Sequence, residues 1–128
     1  MKAEQLTLLG NPDAKVSKKL ETFPYEYADK SRVTFTTQEL LCNCPITGQP
    51  DHYHLTITYY PGKECLETKS LKLYLMTFRD AKYFAEDLVH IIRRDLQDAL
   101  PTHSGLSVEV TQQIRGGIET TVETTSTF

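Results

Sequence analysis

A-K-Y-F-A-E-D-L-V-H-I-I-R-R-D-L-Q-D-A-L-P, residues 81–101, is the stretch on which the fold turns. Phe84, Leu88, Ile91, Ile92 and Leu96 recur at steps of three and four, so they share one face of a helix. Pro101 cannot continue a helix. The spacing therefore predicts a helix over 81–100 with Arg93, Arg94 and Asp98 on its exposed side. A helix with one apolar stripe must bury that stripe against a second layer, and the flanking sequence supplies one.

Downstream, Leu106, Val108 and Val110 alternate with polar residues, the period of a half-buried strand. Gly116-Gly117 supplies a turn, and the Thr- and Val-rich run 118–125 predicts a closing strand. Upstream, Leu71, Leu73, Leu75 and Met76 fit either period. Leu, Lys and Met are good helix formers, so a second helix is expected over 69–79. His54 to Tyr60 reads as a strand with Leu55, Ile57 and Tyr59 on one face, ended by Pro61-Gly62. Arg32 to Thr37 is β-branched and aromatic, a further strand. Between these two, 41–51 carries Pro45, Gly48 and Pro50 and is expected as a loop, where rigid neighbours often hold reactive groups. Residues 1–30 are polar and mixed, with a turn at Asn11-Pro12-Asp13, and are expected as an arm before a single domain over 31–128. The order is β-β-α-α-β-β: an α+β domain, an antiparallel sheet with two helices on one face.

The 128 residues are 39% hydrophobic and 24% charged, enough apolar material for one core. A net charge of −3 argues against a nucleic-acid backbone as direct partner, since such proteins carry a basic face. No apolar run reaches the roughly 18–20 residues that span a bilayer, and the first residues lack a signal-peptide core. Neither membrane nor export is expected, and the cytoplasm is the expected location. Three cysteines do not suit a secreted disulfide framework, so each needs an explanation as packing, metal ligation or chemistry.

Cys44 sits in C-N-C-P-I-T-G-Q-P-D, residues 42–51, close to the carboxylate of Asp51. A thiol in a tight loop near an acid has the makings of a nucleophile with a proton donor, because the thiolate is the reactive form. By composition alone it reads first as a small buried hydrophobe, since free cysteine is among the most buried residue types. Cys42 and Cys44 with His52 and His54 would make a tetrahedral zinc set, but at an uncommon spacing, and no metal is expected. Lys69 and Lys72 share a helical face that suits phosphate, although E-T-K-S at 67–70 is also a helix-capping pattern. Arg115-Gly116 reads first as a turn, then as a phosphate contact. Glu86, beside Tyr83 and Phe84, would accept paired N–H donors of a purine-like ring, or simply favour a helix N-terminus.

Taken jointly, C-P-I-T-G-Q-P-D at 44–51, E-T-K-S-L-K-L-Y at 67–74, F-x-E at 84–86, R-G-G-I at 115–118 and L-T-L-L-G at 6–10 resemble the queuosine-pathway nitrile reductases. These are the QueF-type NADPH-dependent 7-cyano-7-deazaguanine reductases, in their short single-module form. The resemblance implies a tunnelling fold (T-fold) and reduction of the nitrile to a primary amine with two NADPH. It implies Cys44 as the nucleophile that forms a thioimide, Asp51 as the acid, and Glu67 and Glu86 as acceptors for the deazaguanine ring. Lys69, Ser70 and Lys72 would lie in the cofactor motif, with Arg115 and Gly116 as further cofactor candidates. A ring-shaped homo-oligomer with sites at subunit boundaries is implied, a pentamer or a decamer of two stacked pentamers.

One position departs from the pattern. Family reductases carry histidine directly before the ring-binding glutamate, and here that position is Ala85, which cannot donate, accept or relay a proton. The alternatives that keep the fold are a paralogue acting on another 7-substituent, such as a 7-carboxy-7-deazaguanine decarboxylase of DNA modification, or a non-catalytic deazaguanine-binding protein. A zinc hydrolase related to the pterin-forming members would need the cysteine–histidine set to be real.

Overall fold

The computed structural model describes residues 19–126. The L-T-L-L-G motif at 6–10, the turn at 11–13 and most of the expected arm lie outside them. Within the remainder of that arm, β1 (Thr22–Pro24) pairs antiparallel with β4 (Glu64–Leu66) as a separate two-stranded sheet. The main sheet is antiparallel, in the order β2 (Val33–Asn43), β3 (Pro50–Tyr60), β5 (Ser104–Arg115), β6 (Ile118–Thr125). Two helices, α1 (Thr68–Met76) and α2 (Ala85–Ala99), cover one face of it, joined by a 3-10 turn at Thr77–Asp80. The main-sheet order is therefore β-β-α-α-β-β, as expected.

The alternation in β3 is strict. Asp51, Tyr53, Leu55, Ile57 and Tyr59 are buried against the helices, while His52 and His54 face the other way. From α2, Leu88, Val89, Ile92 and Leu96 lose all contact with water against β5 and β6. Each such side chain contributes about 1.5–3 kcal/mol of burial. The Tyr74 hydroxyl donates to Asp95 at 2.7 Å and ties α1 to α2.

Several boundaries differ from the sequence reading: the helix expected over 69–79 ends at Met76, and 77–80 tightens into the 3-10 turn. Helix α2 begins at Ala85, not Ala81, because an Asn43–Lys82 bridge and the Asn43 N–H to Ala81 carbonyl bond hold the approach extended. Phe84 is consequently the N-cap residue, half exposed, and stands off the apolar stripe. The expected loop over 41–51 contracts to 44–49, since β2 runs to Asn43 and β3 starts at Pro50. Proline is tolerated there as the first residue of a strand.

Two bulges set which residues face the helices. Along β2, Val33, Phe35 and Thr37 stand opposite Tyr59, Ile57 and Leu55; after one extra residue, Leu40 and Cys42 stand opposite Tyr53 and Asp51. The extra residue reverses the parity of β2, so Cys42 turns inward and Leu41 outward. Along β5, Gln112 pairs with Thr120 and then Arg115 with Ile118, again with one extra residue on β5. Ile114 is thereby left exposed and Arg115 turns to the helix-facing side.

Candidate functional site

The β2–β3 loop is closed by two backbone bonds: the Cys44 N–H donates to the Gln49 carbonyl at 2.8 Å, and the Gly48 N–H to the Cys44 carbonyl at 2.9 Å. Gly48 holds φ of 73°, a left-handed conformation that costs glycine nothing. Pinned this way, Cys44 is partly exposed at the end of the sheet. The Thr47 N–H, the Thr47 hydroxyl and the Ile46 N–H, in that order, hold its thiol below the ordinary range. The Thr47 oxygen also accepts from the Gln49 N–H at 3.2 Å, which orients its hydroxyl hydrogen away from the backbone.

The other cysteines behave oppositely. Burial pushes the thiols of Cys42 and Cys65 up, so both stay protonated and inert. The sulfur of Cys42 donates to the Ala81 carbonyl at 3.4 Å and anchors the approach to α2. Reactivity therefore belongs to Cys44. Thr47→Val keeps the side-chain volume and removes the hydroxyl. Alkylation tracks the thiolate and rises with pH, so the variant's half-maximal iodoacetamide rate is expected at higher pH than the wild type's. An unmoved profile would show that the hydroxyl has no part in activating Cys44.

Asp51 faces the helix layer directly opposite Cys42 and is buried. Its Oδ1 is paired with the Arg115 guanidinium, without a well-formed hydrogen bond, and Arg115 also donates to the Pro50 carbonyl at 3.3 Å. The β5 bulge is what brings this cation to the acid. Gly116 follows in the β5–β6 turn with φ of 57°. Glu86 lies exposed in the first turn of α2, where a carboxylate suits the helix dipole. The bridge from Asn43 to Lys82 puts this turn beside the end of β2. Cys44, Asp51, Arg115 and Glu86 are thus gathered at one end of the sheet, with half-exposed Phe84 beside them.

Glu67 is elsewhere. It is the N-cap of α1, buried, and its two carboxylate oxygens accept the N–H groups of Ser70 at 2.7 Å and Lys69 at 2.6 Å. The hydroxyl of Ser70 is fully buried; it accepts the Glu21 N–H and donates to the Glu67 carbonyl, both at 2.9 Å. The neighbouring Leu66 N–H donates to the hydroxyl of Tyr59, at the far end of β3 from Asp51. Eight residues of strand separate Asp51 from Tyr59, about 26 Å at the usual rise. The E-T-K-S motif and the cysteine loop lie at opposite ends of one protomer.

A groove of about 750 Å³ runs between β2 and α1, with Thr36, Glu39, His52, Lys72 and Arg79 among its lining. Exposed Lys72 and Arg79 with threonine hydroxyls form a donor set that suits the phosphates of a dinucleotide. His52 and His54 face away from Asp51, and the ring of exposed His90 bonds the Glu86 carbonyl at 2.7 Å. Among the described residues no group of three or more His, Cys, Asp or Glu is placed to hold a metal, and no helix is long and apolar enough to cross a membrane.

The sequence reading missed the Asp51–Arg115 pair and the burial of Tyr53 beside it. Extending the Leu55, Ile57, Tyr59 alternation back by two would have found Tyr53, whereas the approach of Arg115 depends on the β5 bulge.

Known proteins resemble the chain over most of its length. A family model described as QueF-like protein matches residues 50–127. An NADPH-dependent 7-cyano-7-deazaguanine reductase of Frankia casuarinae is 50% identical over 113 residues, 88% of this chain and 89% of that protein. One of Syntrophus aciditrophicus is 46% identical over 93% of this chain and 84% of its own length. One of Nitrosospira multiformis is 43% identical over 82% and 76%. Among solved structures, the apo form of an archaeosine synthase QueF-Like superposes with a TM-score of 0.67 at 19% identity, covering 79% of this chain and 96% of that one. At that identity the likeness speaks for the fold.

Proposed function

Since the chain belongs to the family of QueF-like proteins, we propose that it reduces the nitrile of 7-cyano-7-deazaguanine to the 7-aminomethyl compound, with NADPH as reductant. The observation that carries this reading is Cys44 itself: among the described residues it alone of the three cysteines is activated, and it is presented beside an acid.

The Cys44 thiolate attacks the nitrile carbon, forming a C–S bond as the nitrogen takes a proton from Asp51; the product is a thioimide. When bound, reduced nicotinamide supplies the two hydrides that the four-electron conversion needs. Between the reductions the C–S bond breaks and the electrons return to sulfur, leaving an imine. The nitrogen takes a second proton before the neutral amine is complete. Asp51 must therefore be recharged between deliveries, and Arg115 keeps its carboxylate in place meanwhile. The ion pair supports a role for Arg115 on Asp51 before any role on the cofactor.

Glu86 and Phe84 offer an acceptor and a ring face to the deazaguanine. Glu67 keeps lone pairs beyond the two its helix occupies, and can take further N–H donors. Ser70 serves by holding the start of α1, with Lys69, Lys72 and the adjoining groove toward the cofactor. Glu67 lies too far from Asp51 to meet the same base within one protomer, which supports a shared site in a cytoplasmic homo-oligomer. The edge strands β2 and β6 support the same assembly. Apart from the bridge at Asn43, their outer backbone has no strand partner among the described residues, and such edges pair readily. No direct contact with nucleic acid is proposed.

The test is to mix the protein with the nitrile, first alone and then with NADPH. A mass adduct with near-ultraviolet absorbance is expected in the first case. In the second, two NADPH should be consumed per amine formed. An adduct that never consumes NADPH would sink the reductase reading.

A further inference from the structure

Lys72 and Arg79 both line the groove between β2 and α1. Both are exposed, and neither side chain makes an ion pair or a hydrogen bond among the described residues. Four steps of α-helix and three of 3-10 turn lie between them, so about 12 Å separates them along the axis. The rotation over those steps returns to within about 40° of its start, which puts both on one face. The floor of the groove is apolar, made by Leu75 and Met76 of the helix with Phe35 and Ile57 of the sheet. Two cations set apart over an apolar floor fit a dinucleotide. At about 750 Å³ the groove also falls within the roughly 300–1,000 Å³ of small-molecule sites. Glu39, in the same lining, is an acceptor; it suits ribose hydroxyls and repels phosphate from its own position.

The groove has a direction. At the Lys72 end it adjoins Glu67 and Thr68, the start of α1. At the other end it takes in Leu41 and His52, chain neighbours of Cys42 and Asp51. The turn that carries Arg79 leads there too, into Ala81, whose carbonyl accepts the Asn43 N–H. Arg79 therefore stands at the Cys44 end and Lys72 at the far one. The nicotinamide must reach the carbon held on Cys44. In the dinucleotide the pyrophosphate comes next, and the adenosine ribose after it.

We propose that Arg79 is a further cofactor-binding residue, its guanidinium on the pyrophosphate, while Lys72 takes the phosphate on the adenosine ribose that distinguishes NADPH from NADH. The proposal rests on the reductase reading above and assigns each cation its own part of the cofactor. The planar fork of Arg79 suits two phosphate oxygens at once, whereas Lys72 offers a point charge to a terminal phosphate. Arg79 belongs to none of the motifs that carry the sequence resemblance; its place in the groove singles it out.

Arg79→Gln and Lys72→Gln change exposed side chains and should leave the melting temperature where it is. Each should weaken NADP⁺ binding, followed by titration calorimetry without the nitrile, about tenfold, the low end for a lost charge-assisted bond. In selectivity the two part. The ratio of kcat/KM for NADPH over NADH should fall about tenfold in Lys72→Gln. In Arg79→Gln it should stay within about twofold, because both dinucleotides carry the pyrophosphate. Arg79→Gln that binds NADP⁺ as tightly as the wild type overturns the proposal. So does Arg79→Gln that loses selectivity as Lys72→Gln does, since the cofactor would then lie the other way round. Both results leave the reductase reading standing while the wild type consumes NADPH. A wild type that forms the thioimide yet neither binds NADP⁺ nor consumes NADPH overturns the two together.

Discussion

Cys44→Ala is expected to abolish the adduct with the nitrile and to lower NADPH-dependent turnover on the order of 10⁴-fold or more, as loss of a covalent nucleophile does. The reason is local. Cys42 and Cys65 are buried thiols whose burial favours the protonated form, so neither can take over. The loop itself should survive, because its closing bonds run through the backbone of Cys44 and not its sulfur. Binding of the unreacted base should hold within about threefold, since the sulfur acts on the transition state and not on the ring. The measurement is intact mass beside an NADPH assay, with melting as a control. Turnover that persists in Cys44→Ala would remove covalent catalysis from the account.

The second large effect falls on stability. Arg115→Ala leaves the carboxylate of Asp51 buried with no counter-charge. Removing one partner of a buried pair typically costs 3–5 kcal/mol; Arg115 is one-third exposed, so about 2–3 kcal/mol is expected here, or roughly a 10 °C fall in melting temperature. Asp51→Asn removes the charge and should cost less, about 1 kcal/mol. The double variant should be no less stable than Asp51→Asn alone, because the penalty belongs to the unpaired acid. Simple additivity in this cycle would mean that the two groups do not interact in solution. Activity separates the roles. If Arg115 serves Asp51, its loss lowers kcat with little change in the KM for NADPH, whereas a cofactor contact would raise that KM.

Much of this was legible in the chain. The apolar steps of 84–96 announced a helix, and the alternation in 55–59 and 106–110 announced strands. Both signals are local, arising from one residue's relation to its near neighbours. Where local signals stopped, so did the reading. The prolines and glycine of 41–51 suggested a long loop, yet cross-strand pairing with Asp51 and His52 keeps 41–43 extended. Phe84 matched the helical stripe by spacing but is held outside the helix by a bridge to β2. E-T-K-S supported two readings, and the structure uses Glu67 and Ser70 as the helix's own cap.

Sequence by itself determined the kind and order of the main-sheet strands and the two helices, and it named the candidate side chains, because periodicity and motif are properties of neighbouring residues. Only the tertiary structure decided which side chains meet. One extra residue in β2 turns Cys42 inward, and one in β5 delivers Arg115 to Asp51. A bulge exists only relative to a partner strand, so no window of the chain contains it. The separation of Glu67 from Asp51 has the same origin: it is set by the length of β3 and by what packs at each of its ends.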